Sequence, residues 1–185
     1  MSKDKELEWQ VQKKFNIWND KRKHSTTLEE LFDGNVRYLK LLKSKGSEQD
    51  VKDGFQATVD FTFEKNMGAL VKLGAAFLKR VSKKILLKKI ISSFFINMQH
   101  VVKLDRIKKY EFYPDYTEII IKKCTGKRAF KLGLKNNNAT NMFGEEDYCK
   151  YSCITLFNKL LSVANAKSTV ELEKRGCHHI IKFVS

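Results

Sequence analysis

Residues 110–124, YEFYPDYTEIIIKKC, mark the point where the sequence changes from a helical to a strand pattern. The stretch is rich in aromatic and β-branched residues, which favour strands. Pro114, the only proline in the chain, divides it and predicts either a bent edge strand or two short strands. Upstream of it, apolar residues recur with helical spacing. The sequence therefore predicts an α+β fold, in which an N-terminal helical half packs on a small antiparallel sheet and a cysteine-bearing helix lies across that sheet.

This change divides the chain into a helical region, residues 1–104, and a cysteine-containing α+β region, residues 105–185, which we expect to form one compact unit. Four apolar residues at helical spacing predict the face of a first helix: Leu7, Val11, Phe15 and Trp18. Thr26 or Thr27, each with a glutamate three residues later, predicts the capping box of a second helix. That helix should end near Gly46.

Two more helices are predicted before residue 105. Ser47 with Asp50 indicates the start of one, while Gly68 and Gly74 predict a bend or a close packing contact further along. Ser82 is expected to cap the next helix. The apolar face of that helix is predicted to consist of Leu87, Ile90, Ile91, Phe94, Phe95 and Met98.

The C-terminal region is predicted to alternate between strands, a loop and a helix. Residues 125–133, TGKRAFKLG, predict a turn and a returning strand, and residues 135–147 predict a loop. The last 18 residues, STVELEKRGCHHIIKFVS, predict two strands joined by a tight turn at Arg175 and Gly176. In the final strand His179 should share one face with Cys177, and His178 should lie on the other.

Composition and termini predict a folded cytoplasmic protein. With 42% hydrophobic residues, the chain has enough apolar side chains to build a core. Its start, MSKDKELEWQ, is charged where a signal peptide has an apolar segment. The longest apolar-rich stretch, residues 85–98, contains two lysines and is shorter than the roughly 20 residues that span a bilayer. In a reducing compartment we expect the four cysteines to be free, metal-bound or reactive rather than disulfide-bonded.

The four cysteines are the candidate site. Cys149 and Cys153, in YCKYSC, are four positions apart and should share one side of a helix. Cys124 is expected to end a strand and Cys177 to open the last one. Together they predict a four-sulfur site for zinc, or alternatively for iron or an iron–sulfur cluster. Two other interpretations remain open: small buried hydrophobic residues, and a nucleophilic thiol if the fold brings His178 or His179 to a cysteine as a base.

The order of these segments also resembles a known group of domains. EIIIKKC, an intervening loop, YCKYSC on a helix, VELEK and GCHHIIKF together resemble the C-terminal α+β domain shared by the L-2-amino-thiazoline-4-carboxylic acid hydrolase family, the methanogen output domain and the 4-vinyl reductase domain. The resemblance covers about residues 105–185. This chain departs from the pattern of these domains at the final hairpin, where Gly176 directly precedes Cys177 and two histidines follow.

This resemblance implies a small-molecule- or metal-binding, sensor-like function. It places Cys124, Cys149 or Cys153, and Cys177 at thiol positions that hold zinc in the sensor domains, with Glu171 or Glu173 as an optional ligand. It implies as an alternative a hydrolase of a cyclic amidine such as L-2-amino-thiazoline-4-carboxylate, which uses a metal-bound water or an activated thiol. Relatives of this kind often form homodimers through helices. The sequence assigns no catalytic residue and no residue that binds an organic cofactor.

The strong positive charge suggests a third class of function. The formal net charge is +15, and residues 65–104 contain nine Lys or Arg and no Asp or Glu. Residues 79–98 could therefore lie on an anionic membrane or bind an acidic partner, as a basic adaptor does. A core-packing helix with a solvated lysine face is the other interpretation. Nucleic acid is not favoured, because the segment lacks interleaved arginine and aromatic residues.

Overall fold

The computed structural model describes residues 20–72, 82–99 and 101–184 and has the predicted α+β fold. The α-helices of these residues are α1 (Asp20–Lys45), α2 (Glu48–Lys72), α3 (Lys83–Asn97), α4 (Thr125–Asn136) and α5 (Ile154–Leu161). The strands are β1 (Ile107–Phe112), β2 (Thr117–Ile121), β3 (Ala166–Leu172) and β4 (Cys177–Phe183). A π-helix, Tyr148–Cys153, leads directly into α5, and short 3-10 turns lie at Leu104–Arg106 and Ser162–Ala164. Among the helices of these ranges, none combines the length and the apolar character that a bilayer span requires.

The sheet is antiparallel throughout and has the strand order β1-β2-β4-β3. The predicted C-terminal hairpin is present, and a second hairpin forms around Pro114. Pro114 lies in the turn between β1 and β2, so the quoted stretch forms two short strands rather than one bent strand. The backbone N–H of Tyr113 donates to the carbonyl of Tyr116 at 2.8 Å and closes this turn. The C-terminal hairpin turns at residues 173–176, as its Arg-Gly pair predicted.

One face of the sheet carries the first core, which α3 and α5 cover. Ile119 and Ile181 point into it, as does His179, whereas His178 lies on the opposite face, as the strand alternation predicted. The predicted apolar face of α3 is buried along its whole length, and Ser82 caps the helix by accepting a hydrogen bond from the N–H of Ile85 at 3.4 Å. The first core contains Val59, Leu86, Leu87, Ile90, Ile91, Phe94, Phe95, Met98, Val101, Val102, Ile119, Ile121, Leu156, Phe157, Leu160, Leu161, Ala164, Ala166 and Ile181.

A second core lies among α1, α2 and α4. Phe32 of α1 contacts Phe130 of α4 edge to face, with ring centroids 6.4 Å apart. Helix α2 contributes Val51 and Phe55 to this core and Val59 to the first one. The second core contains Leu28, Phe32, Val36, Leu39, Val51, Phe55, Ala129, Phe130, Leu134, Ala139 and Phe143.

The sequence predicted the wrong type of element for residues 125–133 and the wrong start for α1. Residues 125–133 form helix α4 and not a returning strand, because Ala129, Phe130 and Leu134 recur with helical spacing and pack against α1. The capping box at Thr26 or Thr27 is also absent, since α1 already runs from Asp20 and includes both threonines.

The predicted end of α1 and the predicted start of α2 are confirmed. Helix α1 ends at Lys45, as Gly46 predicted, and Ser47 bonds Asp50 at the start of α2. Gly68 lies inside α2, whose helical backbone continues to Lys72. Gly74 and the predicted helix of Leu7, Val11, Phe15 and Trp18 lie outside the described residues.

Candidate thiol site

The fold brings cysteines from three separate segments into one region, which we call the thiol site: Cys124, Cys149, Cys153 and Cys177. Cys124 is the N-cap residue of α4 rather than the end of a strand, because β2 stops at Ile121. Cys149 and Cys153 lie in the π-helix and Cys177 opens β4, as expected. Burial raises the pKa of Cys153, and ionisation of Cys124, Cys149 or Cys177 would raise it further, so the four thiols share one electrostatic environment. All four cysteines are free thiols.

A close backbone contact sets the position of Cys177. The turn before β4 lies directly on the end of β2, so a Cβ atom at Gly176 would stand 1.8 Å from the carbonyl oxygen of Ile121. The backbone N–H of Cys124 donates to the carbonyl of Arg175 in the same turn at 2.8 Å. Only glycine permits this approach. The thiols of α4 and β4 therefore become neighbours through backbone contacts.

The other two thiols lie on a widened helical turn. The backbone N–H of Ile154 donates to the carbonyl of Cys149, five residues earlier, as a π-helix requires. The hydroxyl of Thr155, in the first turn of α5, also donates to the carbonyl of Lys150 at 3.0 Å. Such turns are rare and occur often at functional sites. Tyr148, the first residue of this turn, packs edge to face on Phe32, with ring centroids 4.8 Å apart. Its pKa is raised well above the usual value by burial and by the charges of nearby thiols.

Burial keeps the thiols protonated. It raises the pKa of Cys149 and of Cys177 to about 12, and neighbouring thiols add to the effect. The pKa of Cys153 is also raised well above its usual value, again mainly by burial. Cys124 differs, because its sulfur accepts a hydrogen bond from the backbone N–H of Lys127 at 3.4 Å, which opposes the rise of its pKa. In this arrangement the site holds neutral thiols, which are weak nucleophiles.

Sequence reasoning missed Lys127, a buried lysine beside the thiols. Its amine donates to the carbonyl of Glu173 at 2.7 Å and pairs with the carboxylate of Glu146 at 3.2 Å. Its positive charge lowers the pKa of Cys124, Cys149 and Cys177, against the larger effect of burial. Only a prediction that residues 125–133 are helical would have placed Lys127 beside Cys124. A residue three positions after an N-cap lies in the first helical turn, next to the capping side chain.

The fold also brings a histidine to a cysteine. Nε2 of His179 lies 3.3 Å from Sγ of Cys177, and Nδ1 lies 3.0 Å from the hydroxyl of Ser168. Burial, with a smaller effect of His178, lowers the pKa of His179 to about 4. The imidazole is therefore neutral at neutral pH, and the pair does not form a thiolate and an imidazolium.

The other candidate residues are His178, a predicted base, and the optional ligands Glu171 and Glu173. His178 lies on the outer face, where Nε2 is 3.0 Å from Oε1 of Glu118 and Glu171 is its partner on β3. Glu173 lies nearer the thiols, since its charge raises the pKa of Cys177. Of the two optional glutamate ligands, Glu173 is thus the one beside the site.

The thiols are neighbours without a ready coordination sphere. In residues 20–72, 82–99 and 101–184, no group of three or more His, Cys, Asp or Glu side chains is arranged to hold a metal ion.

A small cleft lies beside the π-helix, among α1, α2 and α4. Aromatic side chains line much of it, including Tyr38, Phe55 and Phe130, and Ser152 and Tyr148 reach it from the π-helix. The same turn of six residues thus carries both cleft-lining side chains and two of the thiols.

Comparisons with protein-family models, curated proteins and solved structures find no match to this chain. The resemblance of residues 105–185 to the hydrolase, methanogen output and 4-vinyl reductase domains therefore stays a prediction. Any functional conclusion depends on the geometry of the site itself.

Proposed function

We propose that this protein is a sensor-like domain that binds one thiophilic metal ion, zinc in preference to iron, through Cys124, Cys149, Cys153 and Cys177. The supporting observation is the convergence of these four thiols from three separate segments of the chain. Four sulfur ligands suit the tetrahedral coordination of structural zinc. Lys127, whose charge favours the thiolate form, supports loss of the thiol protons as the metal binds.

The sensor-like behaviour follows from the movement that binding would cause. The thiols lie on the π-helix, at the start of α4 and at the start of β4, and a shared ion would hold these elements together. Zinc–sulfur bonds are about 2.3 Å long, so the sulfur atoms of a tetrahedral site are held in mutual contact. Binding would thereby change the π-helix and the cleft that Tyr148 and Ser152 line, where a small-molecule ligand would respond to it.

Metal content and cobalt spectroscopy test this proposal. Protein purified without added metal should contain about one zinc or iron ion per chain, as a single four-ligand site requires. Cobalt(II) added to the metal-free protein should give thiolate-to-cobalt charge-transfer absorption, which Cys153→Ser weakens. Ser168→Ala is the matched control, since it changes a buried hydroxyl beside His179 and keeps every thiol. Negligible metal content, no cobalt band, and thiols that react only after unfolding would show that the cysteines are ordinary core residues.

The contact of Cys177 with His179 is the observation that favours a second candidate, a thiol-dependent hydrolase of a cyclic amidine. A nucleophilic cysteine is normally activated by a base that takes its proton. Here the thiol pKa is about 12 and the imidazole pKa about 4, so the proton stays on sulfur. We expect iodoacetamide to modify folded, metal-free protein no faster than a simple thiol at neutral pH. Rapid labelling of Cys177 that His179→Gln abolishes would favour the hydrolase instead.

A further inference from the structure

The outer face of α3 combines exposed aliphatic side chains with lysines. Ile85 and Ile96 are 50% and 59% exposed and lie on the side of the helix opposite its buried stripe. Lys84 and Lys88 are exposed and flank them. A purely solvated lysine face does not need a branched aliphatic residue near each end of the helix, because these side chains leave apolar surface in water.

This surface continues onto the edge strand of the sheet. The hydroxyls of Ser92 and Tyr110 lie 3.4 Å apart, which places the exposed ring of Tyr110 beside α3. The amine of Lys88 lies 4.7 Å from the ring centroid of Phe112 on the same strand. We call Lys84, Ile85, Lys88, Ile96 and Tyr110 the α3 outer face.

The positive charge of this face is not offset by acidic side chains of its own helix. Helix α3 contains no Asp or Glu. On the neighbouring strand β1 and its flanks, Asp105 pairs with Arg106 at 3.2 Å and Glu111 pairs with Lys109 at 3.5 Å. Asp115 lines the same shallow pocket as Lys84 but forms no ion pair with it. In the described part of the chain, no ion pair joins Lys84 or Lys88 to a carboxylate.

We propose that the α3 outer face docks this protein on an anionic lipid bilayer as a peripheral membrane protein. Aliphatic side chains enter the boundary between headgroups and acyl chains, while lysines attract anionic headgroups. A tyrosine with an apolar ring and a polar tip suits the same depth. A nucleic acid would use stacked aromatic rings and arginine instead. This surface is separate from the thiol site, so the proposal does not depend on metal binding.

Vesicle co-sedimentation with the full chain tests the docking. We expect binding to phosphatidylcholine vesicles with about 30 mol% phosphatidylserine and little binding to phosphatidylcholine alone. Replacing both Lys84 and Lys88 by Gln should weaken partitioning by about five-fold per lysine. Replacing both Ile85 and Ile96 by Asn should weaken it by about ten-fold, since apolar insertion is lost.

Leu41→Asn is the matched control, because Leu41 is 54% exposed on α1, away from this face. It should leave partitioning unchanged, and far-ultraviolet circular dichroism should show that every variant is folded. Two outcomes would overturn the proposal. One is equal binding to neutral and anionic vesicles. The other is binding to vesicles and to heparin that depends on the lysines but not on the isoleucines, which would indicate an acidic macromolecular partner.

Discussion

Gly176 shows how one residue determines the position of a reactive group. Its missing Cβ allows the turn before β4 to lie on the carbonyl of Ile121, and this contact carries Cys177 to the thiol site. Gly34, in the exposed part of α1, is the opposite case, because a Cβ there would meet no atom within 4 Å. The two glycines therefore have opposite roles in stability.

We expect Gly176→Ala to destabilise the protein by about 1–3 kcal/mol, because the new Cβ overlaps backbone atoms that cannot move away cheaply. Gly34→Ala should instead stabilise it by about 1 kcal/mol, the usual preference of a helix for alanine. Urea denaturation of both variants measures these changes. A neutral result for Gly176→Ala would mean that the turn is free to shift.

His179 makes stability depend on pH. Its pKa is about 4 in the folded protein and 6.5 in the unfolded chain, so the unfolded state binds more protons between these values. The stability that the neutral imidazole contributes is complete above pH 6.5 and is lost as the pH falls toward 4. Burial beside Phe157, with ring centroids 5.2 Å apart, is the physical cause.

In metal-free protein, this loss should reach about 3 kcal/mol near pH 4. His179→Gln should remove that part of the pH dependence, while His178→Gln, on the outer face of the sheet, should retain it. Denaturant titrations across this pH range compare the three proteins. Parallel curves for wild type and His179→Gln would contradict the prediction.

At the scale of elements, Lys127 links α4 to the β3–β4 hairpin. Its amine satisfies the carbonyl of Glu173 in the turn, and the same amine pairs with Glu146 before the π-helix. One buried side chain thus connects the segments that carry the thiols. Lys131, one turn later on α4, forms an exposed ion pair with Glu145.

We expect Lys127→Met to destabilise the protein by about 1–3 kcal/mol, because the Glu173 carbonyl loses its buried donor. Amide hydrogen exchange should accelerate in residues 173–177 more than in α1. The matched variant Lys131→Met should change stability by less than about 0.5 kcal/mol, as exposed ion pairs usually contribute little. Equal effects of the two substitutions would show that Lys127 has no special role.

At the scale of the whole molecule, α2 joins the two cores. Phe55 packs in the second core and Val59, one turn later, in the first, so neither core is complete without this helix. Phe157 lies at the centre of the first core, with its ring centroid 4.6 Å from that of Phe94. Phe32 is equally buried in the second core.

Phe157→Ala and Phe32→Ala should each destabilise the protein by about 3–5 kcal/mol, the usual cost of such a cavity. Because α2 is shared, each variant should unfold in a single transition that is the same by far- and near-ultraviolet circular dichroism. Phe61→Ala, at a 69% exposed position on α2, is the control and should be nearly neutral. Two separate transitions would show that the cores unfold independently.

The sequence alone determined the α+β class, the C-terminal hairpin, the cap of α3 and its buried face. These features depend on local signals, such as proline, glycine and the spacing of apolar residues, which act over a few positions. It also identified the four thiols, although not their mutual distances. Helix α4 was missed because Gly126 and Gly133 resemble turn residues until their neighbours pack against α1.

Only the tertiary structure decided which groups meet at the thiol site. Cys124 and Cys177 approach through a backbone contact, and Lys127 reaches the carbonyl of Glu173, which is 46 residues away in sequence. The pKa values of the thiols and of His179 likewise follow from burial, which no local pattern specifies. The physical reason is that desolvation and long-range contacts depend on how complete elements pack, whereas periodicity and capping act within a single element.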